Sequence, residues 1–294
     1  MIGIYHKNDL DGICSGAIMK YKYPDIKLIG FDNGDVLDVK IAEDEEVIIA
    51  DISLPMANMK GVSLKTKGKF TWIDHHKSSM VAYKHFIETE PFEINIVHEI
   101  GVAACELTWR TLFPDIPVPI AVQLLSAYDV WNKSRFDWDK MTLPFQYGMK
   151  LDCGSNINNF NTNVFKIDFE TGDYNNLFQV IYNSGISIAQ YQKDQNTLHA
   201  NIQWFEENVL GYKAICINDN THTSFVFDSV YDENKHDMML LFYYAKNRWT
   251  FSVYTSKDNV DCSVIAKHFG GGGHKKAAGF KVNNLSTVFT NKEF

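Results

Sequence analysis

The sequence predicts an α/β fold: an N-terminal parallel sheet with helices on both faces, then a smaller mixed α/β domain. Short apolar runs at 2–5, 26–31, 47–50 and 70–73 are nearly uninterrupted, as strands buried on both faces are. Helical spacing at 13–21, 102–112 and 120–127 accompanies them, the alternation that builds a parallel sheet. After Gly211 the pattern changes to strand-like runs at 214–217, 224–230, 238–244 and 249–254.

Between these regions, 177–208 keeps helical spacing, with Ile181, Ile188, Tyr191, Leu198 and Phe205 as expected buried positions. A helix there connects two domains. The expected organisation is a first domain over 1–180, a helical connector over 181–210 and a second domain over 211–294. The asparagine-rich stretch at 156–163 reads as polar loop or helix surface.

Composition narrows the function classes. The chain has 294 residues, 45% hydrophobic and 14% aromatic, enough to bury a core and too aromatic for long disorder. Its net charge is −8, which disfavours long duplex DNA as a partner, because duplex binding works through release of phosphate counterions by basic faces. A short or small anionic substrate remains compatible, since bound divalent cations bring their own positive charge. The five cysteines are dispersed without C-x-x-C spacing, as free thiols in a reducing compartment are. No apolar run reaches membrane-spanning length; a cytoplasmic location is expected.

The chemistry gathers after the strands. Asp9 and Asp11 follow the first, Asp51 follows 47–50, and Asp74, with His75 and His76, follows 70–73. Acids often follow strands as turn residues or helix caps. Four on one rim with two histidines attached point instead to a site, because open α/β sheets bind ligands beyond the carboxyl ends of their strands. Asp129, in Ala127-Tyr128-Asp129-Val130-Trp131, joins this set. Oxygen and nitrogen donors without thiolates suit Mn²⁺ and similar ions rather than structural zinc. An Asp-x-Asp pair on an extended turn sends its side chains in alternate directions, so it can serve two ions a few ångströms apart, or one ion and the groups around its ligands. A calcium-loop reading fails, because the twelfth residue counted from Asp9 is Lys20, not Glu. Near the C-terminus, Gly270-Gly271-Gly272-Gly273-His274-Lys275 precedes an apolar strand-like Phe280-Lys281-Val282. Consecutive glycines can turn their N–H groups toward one anion, so a phosphate-binding nest is expected there.

This series resembles the DHH/DHHA1 phosphoesterases: His6-x-x-Asp9-x-Asp11, Asp51, Asp74-His75-His76, Asp129, then Gly-Gly-Gly-Gly-His274-Lys-Lys-Ala-Ala-Gly279. The order holds over nearly the whole chain. One departure is the two-residue interval between His6 and Asp9, where many members have three. The family takes in nanoRNases, pAp phosphatases, cyclic dinucleotide phosphodiesterases and RecJ-type exonucleases. Its manganese pyrophosphatases lack the glycine-histidine motif.

The resemblance implies a catalytic DHH domain over 1–180 and a substrate-binding DHHA1 domain over 211–294. It also implies two Mn²⁺ ions, with Mg²⁺ or Co²⁺ as substitutes. His6, Asp9 and Asp51 would hold one; Asp11, Asp51, His75 and Asp129 the other, with Asp51 bridging. Asp74 would orient the histidines, and His76 would meet the scissile phosphate. Gly271, Gly272, Gly273, His274 and Lys275 would hold the nucleotide end. Attack by a bridging hydroxide would release nucleoside monophosphates from short oligonucleotides or small nucleotides. Polyphosphate hydrolysis and cyclic or linear dinucleotide cleavage are the alternatives, and a homodimer is possible. Bases need stacking partners, for which Tyr128, Trp131 and Phe269 are the candidates. A binder without turnover fits poorly, having no need of a bridging carboxylate.

Overall fold

The computed structural model describes residues 1–37, 40–166, 175–221 and 223–289. The described residues divide into two compact units, Met1–Ala189 and Gln190–Phe294.

The first unit is a five-stranded parallel sheet of order β2-β1-β3-β4-β5, from β1 (Ile2–His6), β2 (Lys27–Phe31), β3 (Val47–Ala50), β4 (Phe70–Asp74) and β5 (Asn95–His98). Helices α1 (Leu10–Lys22), α2 (Met56–Thr66), α3 (Lys77–Ile87), α4 (Ala104–Leu112), α5 (Ile120–Asp129) and α6 (Leu143–Cys153) accompany it. The pleat explains the two-sided burial. Ile2, Ile4, Val47, Ile49, Phe70 and Trp72 face one apolar cluster, shared with Met59 of α2 and Tyr83 of α3. Tyr5, Ile48, Ala50 and Ile73 face the other, shared with α1, α4, α5 and α6. Uninterrupted apolar strands are what a sheet covered on both faces requires. β1 lies between β2 and β3, so the strand order reverses at β1/β3. A crevice forms beyond their carboxyl ends at such a switch point.

α1 begins earlier than its apolar spacing indicates. Asp9 is its N-cap, accepting from Gly12 N at 3.0 Å, and Asp11 lies in its first turn. The Asp-x-Asp pair therefore sits on a helix start, not on an extended turn. Capping is the reason: a carboxylate that satisfies a free N–H nucleates the helix ahead of its apolar face. Gly12 is required by close approach, since a Cβ there would stand 2.1 Å from the His6 carbonyl oxygen.

α7 (Asn176–Gln203) begins in the first unit and ends in the second. It stops short of 208 because Phe205–Val209 becomes β6. Ile181 is buried as expected, but Tyr191 and Leu198 are 64% and 57% exposed; apolar spacing alone placed them wrongly. The second unit adds β7 (Tyr212–Asn218), β8 (Met238–Ala245), β9 (Arg248–Tyr254), α8 (Cys262–His268), β10 (Gly272–Gly273) and β11 (Ala277–Val282). Its sheet runs β10-β11-β9-β8-β7-β6, antiparallel except at β7/β8. The expected strand at 224–230 is a 3₁₀ turn at Ser224–Phe227. Val226 and Phe227 are buried there without pairing, so apolarity reported burial rather than extension. No helix among the described residues is long and apolar enough to cross a membrane. All five cysteines are buried and in the thiol form, none joined in a disulfide.

Candidate metal centre

β1 and β3 deliver the centre to their switch point. Asp51, directly after β3, has φ +62°, a left-handed backbone that aspartate tolerates better than most residues. Its side chain is 2% exposed, and its two oxygens face different groups. Oδ2 lies 3.4 Å from His6 Nδ1, which is 2.8 Å from Asp9 Oδ2. Oδ1 lies 3.4 Å from His75 Nε2, which is 3.6 Å from Asp11 Oδ2 and 3.3 Å from Asp129 Oδ2. The sequence-predicted residues of the first unit thus come together as two donor sets, His6/Asp9/Asp51 and Asp11/His75/Asp129, with a third grouping of Asp51, His75 and His76 between them.

The supports are local. Asp11 accepts Ala104 N at 2.9 Å and Cys105 N at 2.6 Å, the free amides at the start of α4, where a carboxylate is favoured. Asp74 Oδ1 accepts His75 N at 2.8 Å, His76 N at 3.1 Å and pairs with His76 Nδ1 at 2.7 Å. That contact raises the His76 imidazole to about 9, and its side chain remains 44% exposed.

Crowded carboxylates explain the remaining shifts. Burial, then the negative charges of Asp9 and Asp129, pushes Asp51 up to about 7. Burial and Asp11 push Asp129 up to about 7. Asp11 is raised by burial and by Asp51. The carboxylates of Asp51 and Asp9 raise His6 to about 10. Among the described residues no lysine or arginine pairs with Asp9, Asp11, Asp51 or Asp129. Asp51 Oδ2 is buried without a hydrogen-bond partner, since His6 Nδ1 lies outside hydrogen-bond geometry. Buried anions without a countercharge need one. Two ligand atoms around one cation at about 2.1 Å stand roughly 3.0–3.5 Å apart, which matches the 3.3–3.6 Å separations around His75. The donor set fits divalent cations.

Two neighbours escaped the sequence reading. Asp32 follows β2 and lies 3.4 Å from His6 Nε2, held by Asn8 Nδ2; it shows the same acid-after-strand signal. His98, at the end of β5, points Nε2 at the His76 carbonyl, 3.3 Å away, and no pattern marked that strand. A cleft of about 420 Å³, lined by Phe31, Asn33, Ser53, Pro55 and Met56 among others, opens beyond the ends of β2 and β3.

The second unit corrects the expected nest. Gly270 N and Gly271 N donate to Lys267 O and Ala266 O at the end of α8, and His274 N donates to Ala277 O. Gly272 and Gly273 pair with Gly279 and Ala278 as a hairpin edge. A Cβ on Gly273 would meet Ala278 Cα at 2.5 Å, so close strand approach explains that glycine. The amides do not converge on one point. Gly272, Gly273, His274 and Lys275 are nevertheless exposed. Of the stacking candidates, Phe269 lies against Phe280 (centroids 4.5 Å apart) and Tyr128 against Trp138 (5.6 Å), whereas Trp131 is 46% exposed.

A doubly wound sheet with such donor sets at its switch point has the groups to hold divalent cations. Residues 213–291 match the DHHA1 domain family. Over 97% of its length the chain is 22% identical to the oligoribonuclease NrnB of Bacillus subtilis, covering 73% of that protein. Over 82% it is 23% identical to a protein of Acanthamoeba polyphaga mimivirus, of whose length the match spans only about half, 54%. Two solved structures share the fold. One is the DHH domain of a member of the s1p family of ribosomal proteins (TM-score 0.56, 14% identity, 95% of this chain and 81% of that one). The other is a pGpG-specific phosphodiesterase of Vibrio cholerae (TM-score 0.50, 11% identity, 97% and 94%). Residues 213–291 thus carry a DHHA1 domain, and over its length the chain is similar to DHH-domain proteins in fold.

Proposed function

We propose that the protein is a cytoplasmic, Mn²⁺-dependent phosphodiesterase that cleaves short oligonucleotides or small nucleotides to nucleoside monophosphates. The observation that carries this is the Asp51 carboxylate, one oxygen toward His6 and Asp9, the other toward His75. A carboxylate so placed would serve two cations. His6, Asp9 and Asp51 would hold one, and Asp11, Asp51, His75 and Asp129 the other. When bound, such a pair supplies a nucleophile at neutral pH and neutralises charge on the attacked phosphate.

The chain's own groups do the rest. Asp74 holds the His76 imidazole in one orientation and keeps it protonated at neutral pH. His76, a half-exposed cation, binds a phosphate oxygen and stabilises charge that grows there. α4 fixes Asp11 through two amides, so the donor set is organised before substrate arrives. His274 and Lys275, exposed beside the β10/β11 hairpin, are assigned to the nucleotide end. The name of the Bacillus relative supports short RNA as substrate, and the net charge of −8 supports a short one.

A panel of defined substrates with Mn²⁺ tests this. Release of mononucleotides from 5′-phosphorylated di- to pentanucleotides, or phosphate from pAp, is expected. Inactivity on all of these, with turnover of polyphosphate, overturns the nucleotide reading.

A further inference from the structure

Glu106 on α4 and Ser126 on α5 are buried polar residues, 1% and 0% exposed, and neither belongs to the donor sets. The layer between these helices is apolar, with Leu107, Val122 and Leu125 in one cluster. Polar groups stay in such a layer only where hydrogen bonds satisfy them.

Their bonds form one chain that ends at the centre. Arg135 grips the Glu106 carboxylate with both prongs, Nη1 2.5 Å from Oε2 and Nη2 3.1 Å from Oε1. Its Nη2 also donates to Gln123 Oε1 of α5 at 2.9 Å. The Ser126 hydroxyl hydrogen-bonds to the same carboxylate, and Ser126 Oγ accepts Ala103 N at 3.2 Å. A hydroxyl whose proton goes to a carboxylate is left with lone pairs for an amide. Ala103 is the N-cap of α4 and makes no side-chain cap bond, where Ser, Thr, Asp or Asn is usual. Asp11 of α1 takes that role, accepting the next two amides, Ala104 N and Cys105 N. The start of α4 and the Asp11 carboxylate therefore fix each other. One turn after Ser126, α5 ends on Asp129. The node thus locates both carboxylates that stand 3.6 and 3.3 Å from His75 Nε2. His6, Asp9 and Asp51 are carried instead by β1, the N-cap of α1 and the end of β3.

We propose that Ser126, Glu106 and Arg135 are positioning residues for one cation of the pair, the one held by Asp11, His75 and Asp129. This rests on the two-cation reading above and deepens it, because a node on one side makes the two sites unequal. Ser126 sets the place of the α4 amides, and those amides aim Asp11. The grip of Arg135 on Glu106 holds α4 against α5 and so keeps Asp129 opposite Asp11. Groups that orient metal ligands from behind tune affinity by about ten- to a hundredfold.

The test is titration calorimetry of the metal-free full chain with Mn²⁺. Wild type takes two ions. Ser126→Ala weakens one of them about tenfold and leaves the other within about twofold. Single-donor variants tell which ion is affected. Asp9→Asn keeps the cap of α1 but disables the other site, and adding Ser126→Ala there still costs the remaining ion about tenfold. In His75→Ala, which disables the site of Asp11 and Asp129, adding Ser126→Ala changes the remaining ion by less than about twofold. Arg135→Ala alters a partly exposed side chain and weakens the same ion by a smaller factor, so the outcome does not hang on Ser126→Ala alone. Val122→Ala, a cavity in the same helix, lowers Tm but leaves both ions bound as in wild type. Equal weakening of both ions by Ser126→Ala, or the same weakening by Val122→Ala, would mean that the node only supports the fold. No weakening of either would mean that Asp11 keeps its place without it; each of these results overturns the proposal. Fewer than two ions in wild type removes the two-cation reading itself, and the proposal with it, before any variant is made.

Discussion

Replacing Asp51 by asparagine is expected to stabilise the metal-free fold while abolishing hydrolysis. The carboxylate is 2% exposed and lacks a hydrogen-bond donor at Oδ2. Burial and the charges of Asp9 and Asp129 move it from 3.8 to about 7. Because the folded-state value is the higher one, the penalty is absent below about pH 4, where both states are protonated. It grows between about pH 4 and 7, and is full above that. Such a displacement corresponds to an order of 4 kcal/mol for the charged form. His6, raised chiefly by Asp51, loses one of its two carboxylates in the variant, which offsets part of the gain. A net ~2–3 kcal/mol, roughly 5–10 °C in Tm for a chain of this size, is therefore expected at pH 8 in EDTA. Little difference is expected at pH 4. Added Mn²⁺ should raise the wild-type Tm and leave the variant's nearly unchanged. Thermal unfolding of both proteins at the two pH values, with and without Mn²⁺, is the assay. A metal-free variant no more stable than wild type at pH 8 would refute the reasoning.

Other perturbations follow from the packing. Gly185→Ala would place a Cβ 1.7 Å from the Pro144 carbonyl oxygen, forcing α6 and α7 apart, so a loss of about 3 kcal/mol or more is expected in urea unfolding. Glu106 is buried between Arg135 and Arg110. Burial is the largest single influence and raises its carboxyl, but hydrogen bonds from Arg135 and Ser126 and the charges of Arg135 and Arg110 together hold the group below its usual value. Glu106→Ala should cost about 2–3 kcal/mol at pH 7, less than a fully buried pair because both arginines are partly exposed. The cost should shrink as pH falls through the folded-state value, as stability against pH would show. His274→Ala should raise KM several-fold with kcat nearly unchanged in steady-state kinetics, as for a contact made equally in ground and transition states.

The centre was legible in the sequence because its chemistry follows a rule of the fold: strands deliver acids to one rim. Asp9, Asp11, Asp51, His75 and Asp129 could be gathered from that rule and the resemblance. Asp32 obeys the same rule after β2 but has no motif beside it. The supports were not legible. That α4 amides hold Asp11 depends on a contact between residues more than ninety positions apart, and no local pattern reports such a meeting. The glycine run was misread for a related reason: glycine signals freedom or close approach alike, and here the approach is of β10 to β11. Tyr191 and Leu198 show the limit of periodicity, which marks a helix but not which apolar positions its neighbours cover. Trp131 carries no sequence sign of its backbone, because positive φ in tryptophan is a consequence of the turn around it.

The most direct measurement of the central claim is the number of Mn²⁺ ions bound per chain, by titration calorimetry on EDTA-treated, dialysed protein. The arrangement of donors on both sides of Asp51 predicts two ions for the wild type, and impaired binding of both in Asp51→Asn. A single ion, or binding untouched by that substitution, would contradict the account.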